Sequence, residues 1–144
     1  MREMKMGAEA IEQLIDHRSG LLGISGVSGD MRSLHKVANS NSDAKLAIAM
    51  FCYTAAKQIG AMSAALNGVN MIVFTGGIGE NDALVRSDIC TELRFLGIKL
   101  DEGRNSAGLG VITSDSSRCV VQVLPSQEDK QIARHTWALC ASAM

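Results

Sequence analysis

Apolar positions along this chain recur at two spacings. Between Glu9 and His17, Ile11, Leu14 and Ile15 lie three or four residues apart, which predicts a short helix that Gly20 closes. Residues 21–29 break the rhythm with Gly23, Gly26 and Gly29, so a loop is expected there. Asp30 then starts a helical turn through Met31, Arg32, Ser33 and Leu34, and Asn39-Ser40-Asn41-Ser42 forms a polar turn. A long helix is expected from Ser42 or Asp43, either of which serves as its cap, to about Leu66. Its Leu46, Ala49, Met50, Tyr53, Ala56 and Ile59 follow the helical period, and Asn67-Gly68 ends it.

The second spacing is that of strands. Residues 70–75 are an apolar run rich in β-branched side chains, and it stops at Thr75-Gly76-Gly77. Asn81 or Asp82 caps a helix carrying Leu84, Val85, Ile89 and Leu93. Residues 97–100 are briefly extended, and 101–110 are polar, either irregular or a single helical turn. Residues 118–124 form a second strand that Pro125 ends, and Ser126 caps a final helix from Gln127 to about Ala141. Strands that alternate with helices imply an α/β chain with a parallel or mixed sheet. Two strands are few for a sheet covered on both faces. The expectation is therefore part of a larger sheet, or a core completed by a partner.

Composition narrows the function classes. At 144 residues the chain is sized for a single domain spanning 1–144. Only 3% of residues are aromatic, and the net charge is −1 with no basic run, which argues against nucleic-acid binding. No apolar segment is long enough to span a membrane, and Met1–Gly7 lacks the apolar core of a signal peptide; a cytoplasmic location is expected. Cys52, Cys90, Cys119 and Cys140 form no C-x-x-C pair, so all four are expected as buried small hydrophobes. Tyr53 and Trp137 are expected in the core, and His17, His35 and His135 at the surface or edges.

Three stretches carry candidate chemistry. The turn from Gly76 to Asn81 joins the end of a strand to the start of a helix. Its few side chains let a ligand lie against backbone, and a helix start offers free N–H groups, so a nucleotide- or anion-binding turn is one reading. It matches neither the Walker A loop nor the dinucleotide fingerprint, since Asp82 stands where the third glycine belongs. The other reading is a tight turn whose glycines meet backbone demands. In the second stretch, Ser25, Ser28, Asp30 and Arg32 offer hydroxyls, a carboxylate for ribose and a guanidinium for a purine or phosphate; Asp30 is equally a plain N-cap. In the third, Glu128 is either a first-turn acid favoured by the helix dipole or a hard ligand for magnesium at a strand's C-terminal end.

Taken together, these stretches resemble the acetate kinases, with the related propionate and butyrate kinases. Leu22-Gly23-Ile24-Ser25-Gly26-Val27-Ser28-Gly29-Asp30-Met31-Arg32 resembles the family's G-[IL]-S-x-x-S-x-D-x-R segment. Val73-Phe74-Thr75-Gly76-Gly77-Ile78-Gly79-Glu80-Asn81 with Val85-Arg86 resembles its F-T-G-G-I-G-E-N-x-x-x-V-R segment, which Phe95–Asp101 and Asn105 continue. Leu124-Pro125-Ser126-Gln127-Glu128 with Ile132-Ala133 resembles the closing [IV]-P-T-[ND]-E-E…I-A segment. Met31 stands where an aromatic is common, and Ser126-Gln127 replaces Thr-Asn.

The resemblance implies the C-terminal part of a ribonuclease-H-like, actin-like ATPase domain, helix-rich with a small parallel or mixed sheet. It implies ATP or ADP binding by Asp30, Met31, Arg32, Gly77, Ile78, Gly79, Glu80 and Asn81, and a magnesium ligand in Glu128. A whole enzyme of this kind transfers phosphoryl from ATP to a short-chain carboxylate and acts as a homodimer. No catalytic residue is assigned to this chain, which lacks a cluster of Arg, Lys or His to surround a γ-phosphate. By itself it is expected to be an incompetent kinase. The alternative is a non-catalytic dimerisation or assembly module, with the long helix 42–66 as its contact.

Overall fold

A computed structural model describes residues 6–142. Among these, the residues up to Gly68 and Asp88–Leu93 form one compact unit. Val69–Ser87 and the residues from Arg94 onward form another.

The first unit is helical. It comprises α1 (Ala8–Arg18), α2 (Gly20–Ser25), α3 (Met31–Val37), α4 (Ser42–Ala65) and the second half of α6 (Ala83–Glu92). Helices α2 and α3 both pack on α4. The expected loop over 21–29 is helical in its first half. Leu21, Leu22 and Ile24 are half-buried and Ser25 is buried, and the helix stops at Gly26, whose N–H donates to the Leu22 carbonyl. The cap of α4 is Asn41, not Ser42 or Asp43. Its Oδ1 accepts from the amides of Asp43 and Ala44 at 3.0 and 2.9 Å, satisfying two donors of the first turn.

The phase of α4 also differs from expectation. Its buried residues are Ala44, Ala47, Ile48, Cys52, Ala56 and Ser63, all small except Ile48, and small side chains let neighbouring helices approach closely. Leu46, Met50 and Tyr53 lie on the opposite face, with Tyr53 61% exposed. Two apolar stripes share one period on this helix, so period alone could not say which was inward.

The second unit holds the sheet. Strands β1 (Met71–Phe74) and β3 (Val120–Val123) pair in parallel, with Met71 opposite Val120 and Phe74 opposite Val123. Strand β2 (Gly110–Val111) pairs antiparallel to β3, giving the order β1-β3-β2 and a mixed sheet. Ile72, Phe74, Val121 and Val123 alternate onto the buried face. Strand β2 went unread because two residues after a polar segment carry no alternation. The expected extended piece at 97–100 contributes a bridge between Leu100 and Thr113.

Helices α5 (Gly76–Asn81), α7 (Glu102–Ala107) and α8 (Glu128–Ser142) complete this unit, with the first half of α6 and a 3-10 turn at Arg94–Leu96. Asp101 caps α7, accepting from the Arg104 amide, so the polar segment is helical. Asp82, rather than Asn81, caps α6 through the Val85 amide. In α8 the first helical bond runs to the Gln127 carbonyl, so the helix begins one residue later than a Ser126 cap requires. Residues 128–141 of α8 are exposed throughout. Trp137 is therefore 74% exposed and Cys140 is at the surface, against expectation, while Cys52, Cys90 and Cys119 are buried. Among the described residues no helix is long and apolar enough to cross a membrane.

Candidate functional site

The parallel strands β1 and β3 finish at the same end of the sheet, where the Leu124 amide donates to the Phe74 carbonyl at 3.0 Å. From that edge the chain leaves twice, into Thr75–Asn81 and into Pro125–Glu128. Open α/β sheets hold their ligands beyond the carboxyl ends of parallel strands. Both segments singled out in this half of the sequence meet there.

Residues 76–81 are a six-residue helix rather than a loop. Gly76 has φ +74°, a left-handed conformation costly for any residue with a Cβ. Gly79 is a glycine for another reason: a Cβ there would come within 3.3 Å of the Phe74 carbonyl carbon, so the helix lies directly against the end of β1. Gly77 faces open space, with nothing within 4 Å of where its Cβ would be. Asn81 Nδ2 donates to the Gly77 carbonyl at 2.9 Å.

Two side chains hold this short helix. The Glu80 carboxylate accepts at one oxygen, Oε1, from the Gly76 amide at 2.8 Å and from the Ser126 amide at 2.7 Å. A carboxylate already bonded at the helix start weighs against a second anion at this turn. At the other end, Arg86 Nη1 donates to the carbonyls of Gly79 and Glu80 at 2.9 Å each. A guanidinium at the last carbonyls matches both their lone pairs and the dipole. Arg86 Nε donates to Asn105 Oδ1 at 2.9 Å and Nη2 to the Asn105 carbonyl at 2.6 Å. Asn105 Nδ2 donates in turn to the Ala83 carbonyl. Arg86 is 1% exposed and Asn105 likewise, so the network is shielded from water.

Arg86 and Asn105 entered the sequence reading only as parts of a family pattern, without a role. A signal was present. Val85, Ile89 and Cys90 form the buried stripe of α6, which Leu93 continues one residue past its end, and Arg86 falls inside it at helical spacing. A charge within an apolar stripe must find partners on folding.

Glu128 is exposed in the first turn of α8. Among the described residues no three His, Cys, Asp or Glu side chains gather as a metal set. One open carboxylate does not cage a cation. It does fit magnesium, which keeps several waters and takes one or two carboxylates beside substrate phosphates.

In the first unit, Asp30 caps α3. Its Oδ2 accepts from the Ser33 amide at 3.1 Å and from the Ser33 hydroxyl at 2.8 Å. The Ser33 hydroxyl chiefly, opposed by partial desolvation and helped by the Ser33 amide and Arg32, holds the Asp30 carboxyl below its ordinary range. Arg32 Nε lies 3.9 Å from Asp30 Oδ1 with its side chain 88% exposed, a contact of little energy. Met31 is buried with Leu34. Ser25 and Ser28 are engaged within the preceding turn, where Ser25 Oγ accepts from the Val27 and Ser28 amides and Ser28 Oγ from the Asp30 amide. The residues expected to bind nucleotide are thus divided, with Asp30, Met31 and Arg32 in the first unit and Gly77–Asn81 in the second, where the expected magnesium ligand Glu128 also lies.

The model of the Acetokinase family matches residues 1–134. The acetate kinase of Brachyspira hyodysenteriae is 44% identical over 141 residues, which cover 96% of this chain and 36% of that protein. The crystal structure of Porphyromonas gingivalis acetate kinase matches with a TM-score of 0.87 at 39% identity, over 97% of this chain and 36% of that one. The propionate kinase of Francisella tularensis matches with a TM-score of 0.81 at 35% identity, over 88% of this chain and 33% of that one. This chain therefore spans about 36% of the length of the curated relatives it matches. Its fold is the helix-rich α/β portion of a ribonuclease-H-like, actin-like ATPase domain, with a small mixed sheet. The buried Arg86–Asn105 network, the glycine turn on the end of β1 and the match over residues 1–134 lead to one assignment: the chain belongs to the Acetokinase family.

Proposed function

We propose that this chain is the C-terminal portion of an acetate kinase, and that its two units are parts of one nucleotide-binding domain. The whole enzyme transfers the γ-phosphoryl of ATP to acetate or another short-chain carboxylate, giving an acyl phosphate. The observation that carries the reading is the open backbone at Gly77, beyond the carboxyl ends of two parallel strands. A flat floor without side chains suits the face of a nucleoside. Gly77, Ile78, Gly79, Glu80 and Asn81 provide that floor. The family pattern alone supports nucleotide-binding roles for Asp30, Met31 and Arg32 in the first unit.

Glu128 is the residue that would hold magnesium, whose chemistry when bound is to neutralise charge on the phosphates. Among the described residues nothing else gathers carboxylates for the ion. Phosphoryl transfer also needs cations around the γ-phosphate, and Arg86, the buried guanidinium beside the floor, is committed to carbonyls and Asn105. The chain alone is accordingly a nucleotide binder rather than a competent kinase. Cytoplasmic location and dimeric assembly belong to the same proposal.

Calorimetry with ADP, with and without magnesium, tests the reading. Weak binding strengthened by magnesium is expected, and Glu128→Ala should remove the strengthening while leaving magnesium-free binding in place. A magnesium effect that survives Glu128→Ala would eliminate the metal role, and acetyl phosphate made from ATP by this chain alone would overturn the claim of incompetence.

A second reading rests on the outward stripe of Leu46, Met50 and Tyr53 on α4. Apolar residues at i, i+4 and i+7 on an exposed face suit helix-to-helix association. An assembly module would sediment as a stable dimer and take up no nucleotide.

A further inference from the structure

We infer that Glu80 is a positioning residue: its carboxylate is a strut that fixes the Pro125–Glu128 segment to the glycine floor, coupling the nucleoside side of the site to the magnesium ligand. The inference deepens the proposed function and rests on it for its ligand. The strut itself stands on geometry.

Three observations carry it. One carboxylate oxygen accepts two amides that lie far apart in sequence, Gly76 at 2.8 Å and Ser126, 46 residues away, at 2.7 Å. Both distances are those of charge-assisted bonds, about twice as strong as neutral ones. The Glu80 main chain is itself fixed, since its carbonyl accepts from the buried Arg86. The strut therefore stands on a rigid base. The segment it restrains is exposed: residues 124–141 lie at the surface, the Leu124 amide ties the segment's start to the Phe74 carbonyl, and Glu128 lies two residues beyond the Ser126 amide. Pro125 limits the chain on one side of that amide through its fixed φ. A ligand for a metal bound to phosphate must be held to within a fraction of an ångström, and the Glu80–Ser126 bond is what sets the start of α8 against the turn.

Oε1 of Glu80 is spent on two backbone amides, and what Glu80 adds to the floor is its main chain. This separates Glu80 from Gly77 and Asn81, which face open space or solvent at the same turn.

The test compares Glu80→Ala, Glu80→Gln and Ser126→Pro with the unmodified chain. Gln keeps a carbonyl oxygen able to accept both amides, Ala keeps none, and Pro removes the Ser126 donor while leaving Glu80 intact. The first readout is hydrogen exchange at the Ser126 amide, which requires no ligand. In Glu80→Ala it should speed up by about tenfold, and in Glu80→Gln by much less. The second readout is the magnesium-dependent strengthening of ADP binding. Glu80→Ala and Ser126→Pro should both reduce it by about fivefold, with Glu80→Gln restoring most of the effect and Ser126→Pro, which leaves the floor residues intact, keeping magnesium-free ADP affinity within twofold of the unmodified chain. General loosening would instead weaken both affinities together. Unchanged Ser126 exchange in Glu80→Ala overturns the strut. Faster exchange with an undiminished magnesium effect overturns the coupling. If Glu80→Ala does not fold, Ser126→Pro decides the coupling alone. An unmodified chain that binds no ADP overturns the proposed function, and the exchange readout still judges the strut.

Discussion

The two turns singled out for nucleotide binding are built in opposite ways. At Asp30 every polar tie is local: the carboxylate reaches Ser33 three residues on, and Ser25 and Ser28 bond within their own turn. At Gly76–Asn81 the decisive ties are distant. Glu80 reaches Ser126 across 46 residues, and Arg86 reaches Asn105 across 19. The first is an exposed cap that any short helix can form. The second is a small helix that exists because buried and distant partners hold both its ends. The difference sets how much each turn loses when one residue changes.

The largest effect is expected at Arg86. Arg86→Ala strips partners from the carbonyls of Gly79, Glu80 and Asn105 in a buried place, and should cost about 3 kcal/mol of unfolding free energy. Denaturant titration followed by a probe in the second unit measures it, and a loss under half that size would mean that water replaces the guanidinium. Leu34→Ala is the counterpart in the first region. Leu34 is fully buried on α3, so the cost should be about 2–3 kcal/mol, by cavity formation rather than by lost hydrogen bonds.

The smallest effect lies at Asp30. Its carboxyl titrates below the ordinary value in the folded chain, first because of the Ser33 hydroxyl. A lowered folded value means that the stabilisation is complete above the unfolded value, near 3.8, and fades as pH falls through the folded one. The Ser33 amide resonance should therefore shift only below about pH 4, and Asp30→Asn should abolish the shift. A midpoint at or above the ordinary value would show that the cap bond is weaker than its geometry.

Legibility in the sequence follows the same division. The Asp30 cap, the span of α4, the strands 70–75 and 118–124 and the stop at Pro125 all follow from neighbours in the chain. The misreadings share a cause. The second stripe of α4 had the same period as the first, so the inward face depended on what packed against it. Trp137 and Tyr53 are apolar yet exposed, and apolarity alone does not decide burial. The turn at 76–81 looked like a loop because its glycines lower helix propensity, whereas Ser126, bonded to Glu80, and Arg86 override that propensity from outside the segment.

By itself the sequence determined the order and spacing of elements, the α/β class and, through its ordered motifs, the family. Those properties depend on local periodicity and capping, which act within a few residues. Only the tertiary structure decided that Arg86 would be buried, that the glycine turn would be helical and that Glu80 would join it to Ser126. Each of those depends on groups 19 or 46 residues apart coming within hydrogen-bond reach, which no pattern of neighbouring residues can specify.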